Sequence, residues 1–207
     1  AGSIDDEVLD IGCAYGVATL AALEQGARVL ACDIEQEHLE VLKDRVPDDW
    51  LNRLRTKQGL LPDIDFEEAS FGSILASRVI HFLAPDEIRI TFKKFSDWLK
   101  PDGRLYVLAD TPYVSFWAGE APKYEKRKAE GDLWPSLIED ASVFPGGKFP
   151  DGHPPFIHPL DSDILAREAE IVGLQVTTAK LIVRADASKD DKPVKGHCVL
   201  VPEKTNG

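Results

Sequence analysis

The stretch from Val8 to Gly16, VLDIGCAYG, decides the fold of this 207-residue chain. The apolar run Glu7–Ile11 predicts a buried strand, and it leads into a turn that has glycines at positions 12 and 16. Val17–Gln25 then shows the apolar spacing of a helix, which Gly26 is placed to end. A strand that turns through glycines into a helix is the first unit of an open parallel sheet. Ligands of such sheets bind beyond the carboxyl ends of the strands.

The same alternation of strands and helices continues along most of the chain and predicts an α/β fold whose sheet is covered on both faces. At this length we expect a single domain, residues 1–207. The further predicted strands are Arg28–Cys32, a weaker one at Arg53–Lys57, Gly72–Ser77, Arg104–Ala109, Leu174–Val183 and Cys198–Val201. The further predicted helices are Gln36–Arg45, Pro85–Leu99 and Ser162–Val172, and Lys100–Gly103 is predicted to be a turn.

The alternation stops between residues 111 and 159, where prolines and aromatic residues are concentrated. Prolines at this density exclude a regular helix or central strand through the whole segment. The segment is also too aromatic for a solvated linker, so we expect it to fold onto the domain as an inserted substrate lid. Within it, Lys123–Lys128 (KYEKRK) predicts a solvated helix face in preference to an anion-binding patch.

Two carboxylates indicate which ligand the first turn accepts. Asp10 lies inside the strand end, and the turn lacks the G-x-G-x-x-G pattern that a dinucleotide pyrophosphate requires. A carboxylate repels a pyrophosphate but attracts the ammonium group of an amino acid. Asp33 ends the second strand, where an acid accepts hydrogen bonds from both ribose hydroxyls of a nucleoside. The pattern favours a nucleoside that carries an amino acid and disfavours an NAD-dependent oxidoreductase.

Five segments in order resemble the class I S-adenosylmethionine-dependent methyltransferases. VLDIGCAYG resembles motif I with alanine in place of the middle glycine, and ACDIE (31–35) resembles the acidic ribose-binding loop. FGSILASRVIHFL (71–83), LKPDGRLYVL (99–108) and HPLDSDILAREAEIVGLQV (158–176) resemble the fourth-strand motif, the fifth-strand hairpin, and the late helix with the sixth strand. The resemblance implies a Rossmann-like three-layer sandwich, with a seven-stranded, mostly parallel sheet and an antiparallel last strand. It also implies S-adenosylmethionine as cofactor and a small-molecule acceptor that offers an O, N or C nucleophile.

The resemblance further implies a cofactor site along the carboxyl ends of the first four strands. Its expected members are Asp10, Gly12, Cys13, Ala14, Gly16, Asp33, Ile34, Gly59, Leu60, Leu61 and Ser77. Leu60 stands where the family often has an acid that binds the adenine amino group. This departure keeps open a second hypothesis, a catalytically inactive S-adenosylmethionine-binding module.

The acceptor side has one candidate catalytic residue, the general base His81, whose alternative role is to cap the loop after the fourth strand. Substrate-binding candidates are Arg78, Tyr113, Trp117, Trp134, His153 and His158, with Phe116 and Phe156 as further pocket walls. The two histidines of the lid have loop ordering as their alternative role. The two tryptophans have plain core packing as theirs.

Composition excludes several other classes of protein. A formal net charge of −12 disfavours a nucleic-acid partner. The chain has no apolar run long enough for a membrane span, and its first residues do not resemble a signal peptide. Its three cysteines, in no metal-binding spacing, indicate free thiols in a reducing, cytoplasmic compartment, and we expect no metal. The oligomeric state is left open.

Overall fold

A seven-stranded sheet forms the centre of the computed structural model, which describes residues 6–114, 119–143, 147–149, 153–182 and 197–205. The strand order is β3-β2-β1-β4-β5-β7-β6. The strands are β1 (Glu7–Ile11), β2 (Arg28–Asp33), β3 (Leu54–Gln58), β4 (Phe71–Ser77), β5 (Leu99–Asp110), β6 (Gln175–Ile182) and β7 (His197–Glu203). Strand β7 runs antiparallel to both of its neighbours, β5 and β6. The structure therefore confirms the predicted fold class.

Helices connect these strands and cover the sheet. They are α1 (Val17–Glu24), α2 (Gln36–Arg45), α3 (Pro85–Trp98), α4 (Ala121–Ala129) and α5 (Ser162–Ile171). Pro85 opens α3, and the Glu87 side chain accepts the backbone N–H of Ala84 at 2.7 Å, which satisfies one of the free donors at the helix start. Asp161 caps α5 by accepting the N–H of Ile164 at 2.9 Å.

The core lies in two layers because alternate residues of each strand face opposite sides of the sheet. On β2, Val29 and Ala31 pack in one cluster with Leu39 and Leu42 of α2. The intervening Leu30 and Cys32 belong to the other, larger cluster beneath α3 and α5. The cluster that contains Val29 and Ala31 includes residues of α1 and α2, the two helices beside the turn after β1.

The predicted turn at Lys100–Gly103 is wrong. These residues belong to β5, whose pairing with β4 shifts register between Phe71–Leu99 and Ser73–Arg104. Asp102 adopts a left-handed φ of 62°, and its N–H donates to the carbonyl of Lys204 at 2.6 Å. The backbone groups of this irregular stretch therefore pair with a segment about one hundred positions away, which local turn preferences do not reveal.

The segment 111–159 folds against the domain, as far as it is described. Its helix α4 carries the run Lys123–Lys128, but the expected solvated face is only partly present, because Tyr124 is buried and Lys128 bonds Asp161. Ile138 and Ile157 exchange backbone hydrogen bonds at 2.9 Å and so bring the two halves of the segment together. Trp117 and Phe116 lie outside the described residues.

In the described ranges, no helix combines the length and the apolar character that crossing a membrane requires. No group of three or more His, Cys, Asp or Glu side chains in the same ranges is arranged to hold a metal ion. Cys13, Cys32 and Cys198 are free and buried.

Candidate cofactor and acceptor site

The turn between β1 and α1 is held in a conformation that only glycine adopts easily. Gly12 and Gly16 have φ of 74° and 76°, and Ala14 between them is also left-handed, at 46°. A Cβ on Gly12 would lie 3.0 Å from Cβ of Val79, and a Cβ on Gly16 would overlap the side chain of Leu42. The turn is therefore packed closely against the side chains of Val79 and Leu42.

Asp33, at the end of β2, fastens this turn. Its Oδ2 accepts the N–H of Ala14 at 2.7 Å, and its Oδ1 accepts the N–H of Glu35 at 3.0 Å. The Nδ1 atom of His38 lies 2.9 Å from the same Oδ1. An ionised carboxylate has about four acceptor positions, so the bonds from described residues leave one of them, on Oδ2. The structure thus offers a single position where we expected acceptance from both ribose hydroxyls.

Asp10 lies beneath the turn and is almost completely buried. Its Oδ2 accepts the hydroxyl of Thr19 at 2.6 Å. Burial raises the pKa of this carboxyl above its ordinary value, against the opposing effect of the hydrogen bonds from Thr19. A desolvated carboxylate of this kind is stabilised by a cation, so the position suits the ammonium group of an amino acid.

Two apolar side chains stand exposed where β2 and β3 end. Ile34 is 52% exposed and Leu60 is 46% exposed, although each follows a strand of the central sheet. The N–H of Gly59 donates to the carbonyl of Asp33 at 3.0 Å and keeps the two strand ends together. Exposed apolar groups at the ligand-binding edge of a sheet fit the flat faces of a nucleobase. These residues, the turn and the two carboxylates together fit a nucleoside that carries an amino acid.

The other predicted cofactor residues contribute differently. Cys13 packs in the core cluster of α1 and α2, and Leu61 is buried in the larger cluster, so only their backbones face the turn and the loop. Burial raises the pKa of the Cys13 thiol far above its ordinary value, which leaves it unreactive. Ser77 is half-buried at the end of β4, next to β1 in the sheet.

Polar groups also gather beyond β4 and β5. His81 is buried, and no described atom bonds its Nδ1. Burial lowers the pKa of this imidazole to about 4, so the side chain is neutral at pH 7. Its ring contacts Phe82, which in turn contacts the ring of His153, with centroids 4.2 Å and 5.1 Å apart.

Beside them, the carboxylate of Asp110 bridges two basic side chains. Arg78 Nε lies 3.2 Å from its Oδ1, and Nε2 of His197 lies 3.1 Å from the same atom. Arg78 adopts a left-handed φ of 57°, which is costly for a residue with a Cβ. The carboxyl ends of β4 and β5 thus hold a neutral histidine beside a charged cluster.

Of the remaining predicted acceptor residues, His158 lies next to His81, because its backbone N–H donates to the carbonyl of His81 at 3.1 Å. The ring of Trp134 packs against His158, with centroids 5.2 Å apart, and stacks on the guanidinium of Arg167 at 4.7 Å. His158 is 0% exposed, its Nδ1 lies 3.3 Å from the carbonyl of Leu83, and burial lowers its pKa to about 4. Tyr113 donates its hydroxyl to Glu125 on α4. In this conformation Trp134 and His158 join the segment to the domain, whereas Tyr113 bonds another part of the segment. The contact of all three side chains with an acceptor stays a prediction.

The structure adds residues that sequence patterns did not single out. His38 and Thr19 bond the two carboxylates of the cofactor site, and Asp110 organises the acceptor side. His38 lies in the first turn of α2, five positions after Asp33, and that spacing was the only local signal available. No local sequence pattern pointed to Thr19 or Asp110, because the packing of whole elements decides which residues they bond.

Comparison with known proteins agrees with this geometry. Residues 8–103 match a family model described as a methyltransferase domain. An uncharacterized methyltransferase of Synechocystis sp. is 30% identical over 111 residues, which are 54% of this chain and 50% of that protein. The cypemycin N-terminal methyltransferase of Streptomyces sp. is 33% identical over 107 residues, which are 51% of this chain and 42% of that protein. The chain therefore spans about half the length of the curated relatives it matches.

Solved structures share the whole architecture. A SAM-dependent methyltransferase from Methanosarcina mazei superposes with a TM-score of 0.73 at 18% identity, covering 99% of this chain and 95% of that one. The 1,6-didemethyltoxoflavin-N1-methyltransferase of Burkholderia thailandensis, solved with 1,6-didemethyltoxoflavin and S-adenosylhomocysteine, superposes with a TM-score of 0.65 at 20% identity. That match covers 98% of this chain and 72% of the Burkholderia chain. At these identities the likeness establishes the fold.

Proposed function

We propose that the chain is a class I S-adenosylmethionine-dependent methyltransferase and transfers a methyl group from S-adenosylmethionine to a small-molecule acceptor, as the methyltransferase-domain model that matches residues 8–103 supports. The observation that carries the proposal is the arrangement at the ends of β1, β2 and β3. A left-handed glycine turn, a carboxylate with one acceptor position left, and two exposed apolar side chains lie along one edge of the sheet. A dinucleotide would place a pyrophosphate beside buried Asp10, which repels it.

Each part of the cofactor has a counterpart among these residues. Asp10 would attract the ammonium group, and Asp33 would accept a hydroxyl of the ribose. Ile34 and Leu60 would pack on the adenine, and the backbone of Gly59–Leu61 would bond its edge. When bound, S-adenosylmethionine supplies a methyl group that its sulfonium already activates, so the protein has to align a nucleophile and exclude water. Orientation alone lowers the barrier of such a displacement by about 7–11 kcal/mol.

On the acceptor side, His81 is the proposed general base. Its imidazole is neutral at pH 7, so it has a lone pair to accept a proton from an O or N nucleophile, but its pKa of about 4 makes it a weak base. The segment 111–159 follows β5 directly and is proposed to close over the acceptor. The net charge of −12 favours a small molecule over a nucleic acid. The bound 1,6-didemethyltoxoflavin of the Burkholderia enzyme supports an acceptor of this size. A cytoplasmic location stays a prediction.

Calorimetric titration tests the cofactor assignment directly. We expect the protein to bind S-adenosylmethionine and S-adenosylhomocysteine and not NAD. The substitution Asp33→Asn should weaken the binding of both ligands by about tenfold or more, because a charge-assisted hydrogen bond is lost. Asp44→Asn, an exposed carboxylate on α2, is the matched control and should bind as the wild type does. Binding of NAD alone would overturn the assignment. A methyl-transfer assay against pooled metabolites then separates an active enzyme from a module that only binds the cofactor.

A further inference from the structure

One face of α2 holds the glycine turn in place. His38, Leu42 and Arg45 lie at positions i, i+4 and i+7, so they share a face of the helix. Leu42 fills the space beside Gly16, and Nη1 of Arg45 donates to the carbonyl of Tyr15 at 2.5 Å. The ring of His38 packs edge-on against the ring of Tyr15, with centroids 4.6 Å apart. Three side chains of one helix thus contact or border the turn that the proposed cofactor would approach.

His38 differs from the other two because it also bonds the carboxylate of Asp33. The carboxylate only accepts, so at 2.9 Å the Nδ1 atom of His38 carries the hydrogen and donates it to Oδ1. The backbone N–H of Glu35 takes the second position on that oxygen. Both acceptor positions of Oδ1 are then occupied. Oδ2 accepts the N–H of Ala14 at 2.7 Å and keeps one further acceptor position.

We propose that His38 is a positioning residue that decides which ribose hydroxyl the site reads, because it closes Oδ1 of Asp33 and leaves only Oδ2 to the ligand. This inference rests on the proposed cofactor and deepens it. With a single acceptor position at a fixed place, one hydroxyl of the ribose bonds the carboxylate and the other does not. Removing His38 opens a position on Oδ1, so the second hydroxyl then also finds an acceptor.

The substitution Asp33→Asn does not isolate this effect, because it also disturbs the bond to Ala14 that shapes the turn. Variants of His38 leave that bond in place. His38→Met removes the donor and the ring but keeps an apolar side chain of similar length. His38→Asn also removes the ring, yet its amide nitrogen occupies nearly the place of Nδ1 and restores the donor. Glu37→Met, at an exposed neighbouring position of α2, controls for the helix itself.

The experiment measures dissociation constants for S-adenosylhomocysteine and for its 2′-deoxy and 3′-deoxy analogues by calorimetry. We expect the wild type to bind one deoxy analogue at least about tenfold more weakly than the other, since the missing hydroxyl leaves a buried acceptor unpaired. Glu37→Met and His38→Asn should keep this ratio to within about twofold, and His38→Met should reduce it to about threefold or less. A mere packing role for the ring would change both His38 variants alike.

Two results overturn the inference. One is a wild type that binds both deoxy analogues equally well, and the other is a folded His38→Met variant that keeps the wild-type ratio. Failure of the proposed function looks different, since the wild type would then not bind S-adenosylhomocysteine at all. Circular dichroism of each variant establishes that it is folded before its ratio is compared.

Discussion

At the scale of single residues, the turn after β1 depends on glycine, which has no Cβ atom. Gly16 lies where α1 begins and the side chain of Leu42 approaches, so there is room for a hydrogen atom but not for a methyl group. Gly26, at the end of the same helix, has a similar left-handed φ of 88° but no atom within 4 Å of an added Cβ. A comparison of the same substitution at Gly16 and Gly26 therefore separates the free-energy cost of a left-handed backbone from the cost of overlap with Leu42.

We predict that Gly16→Ala destabilises the protein more than Gly26→Ala does. Both variants incur about 1–2 kcal/mol because a side chain is forced into the left-handed region. Gly16→Ala incurs a further 1–3 kcal/mol, roughly, because the added methyl overpacks against Leu42. Urea denaturation measures the two free energies of unfolding, and calorimetry should show weaker cofactor binding for Gly16→Ala alone. Equal losses of stability would mean that Leu42 does not confine the turn.

At the scale of elements, the segment 111–159 is attached at several points. The N–H of Leu160 donates to the carbonyl of Asp110 at 2.8 Å, so the two ends of the segment meet at the sheet. On α4, Tyr124 and Lys128 both bond Asp161, the residue that caps α5. The segment thus leaves the domain at the end of β5 and rejoins it beside the same strand.

This connectivity predicts that the segment serves the acceptor and not the cofactor. Replacing residues 112–158 with a short glycine-serine linker should leave the affinity for S-adenosylhomocysteine within about threefold and abolish methyl transfer. Lys128→Gln, which loosens the attachment to Asp161 without removing residues, should raise KM for the acceptor while the affinity for the cofactor is kept. Loss of cofactor binding by a folded deletion variant would contradict the assignment.

At the scale of the whole molecule, folding isolates basic groups from water. His81 and His158 are both buried, and burial lowers both pKa values to about 4 from an ordinary value of 6.5. The unfolded chain binds protons at these histidines below about pH 6.5, whereas the folded protein binds them only near pH 4. Acidification between these values therefore favours the unfolded state, and stability rises with pH across the same window.

We predict that the free energy of unfolding falls as the pH is lowered from 7 to 4, by up to about 3 kcal/mol for each histidine. The glutamine amide of His158→Gln does not titrate, so the free energy of unfolding of this variant should fall less over this pH window. The difference from the wild type should be about the contribution of one histidine. Urea denaturation of both proteins at pH 7, 6, 5 and 4 gives the two curves. Parallel curves would show that His158 is not held neutral by the fold.

The sequence alone determined the order of strands and helices along the chain and the class of sheet, and it proposed the principal members of the cofactor site. These features depend on local periodicity and on turn chemistry, as at Gly12, Gly16 and Asp33, where the residues that matter lie within one strand–turn–helix unit or at its neighbour's end. The family resemblance added the antiparallel last strand and the cofactor.

Only the tertiary structure decided which groups meet across long stretches of chain. It showed that Lys100–Gly103 belongs to a strand, that His158 is enclosed beside Trp134, and that Asp110 pairs with both Arg78 and His197. It also placed His38 on the carboxylate of Asp33. Burial and hydrogen bonding between distant residues arise from packing of whole elements, and no local pattern of amino acids records that packing.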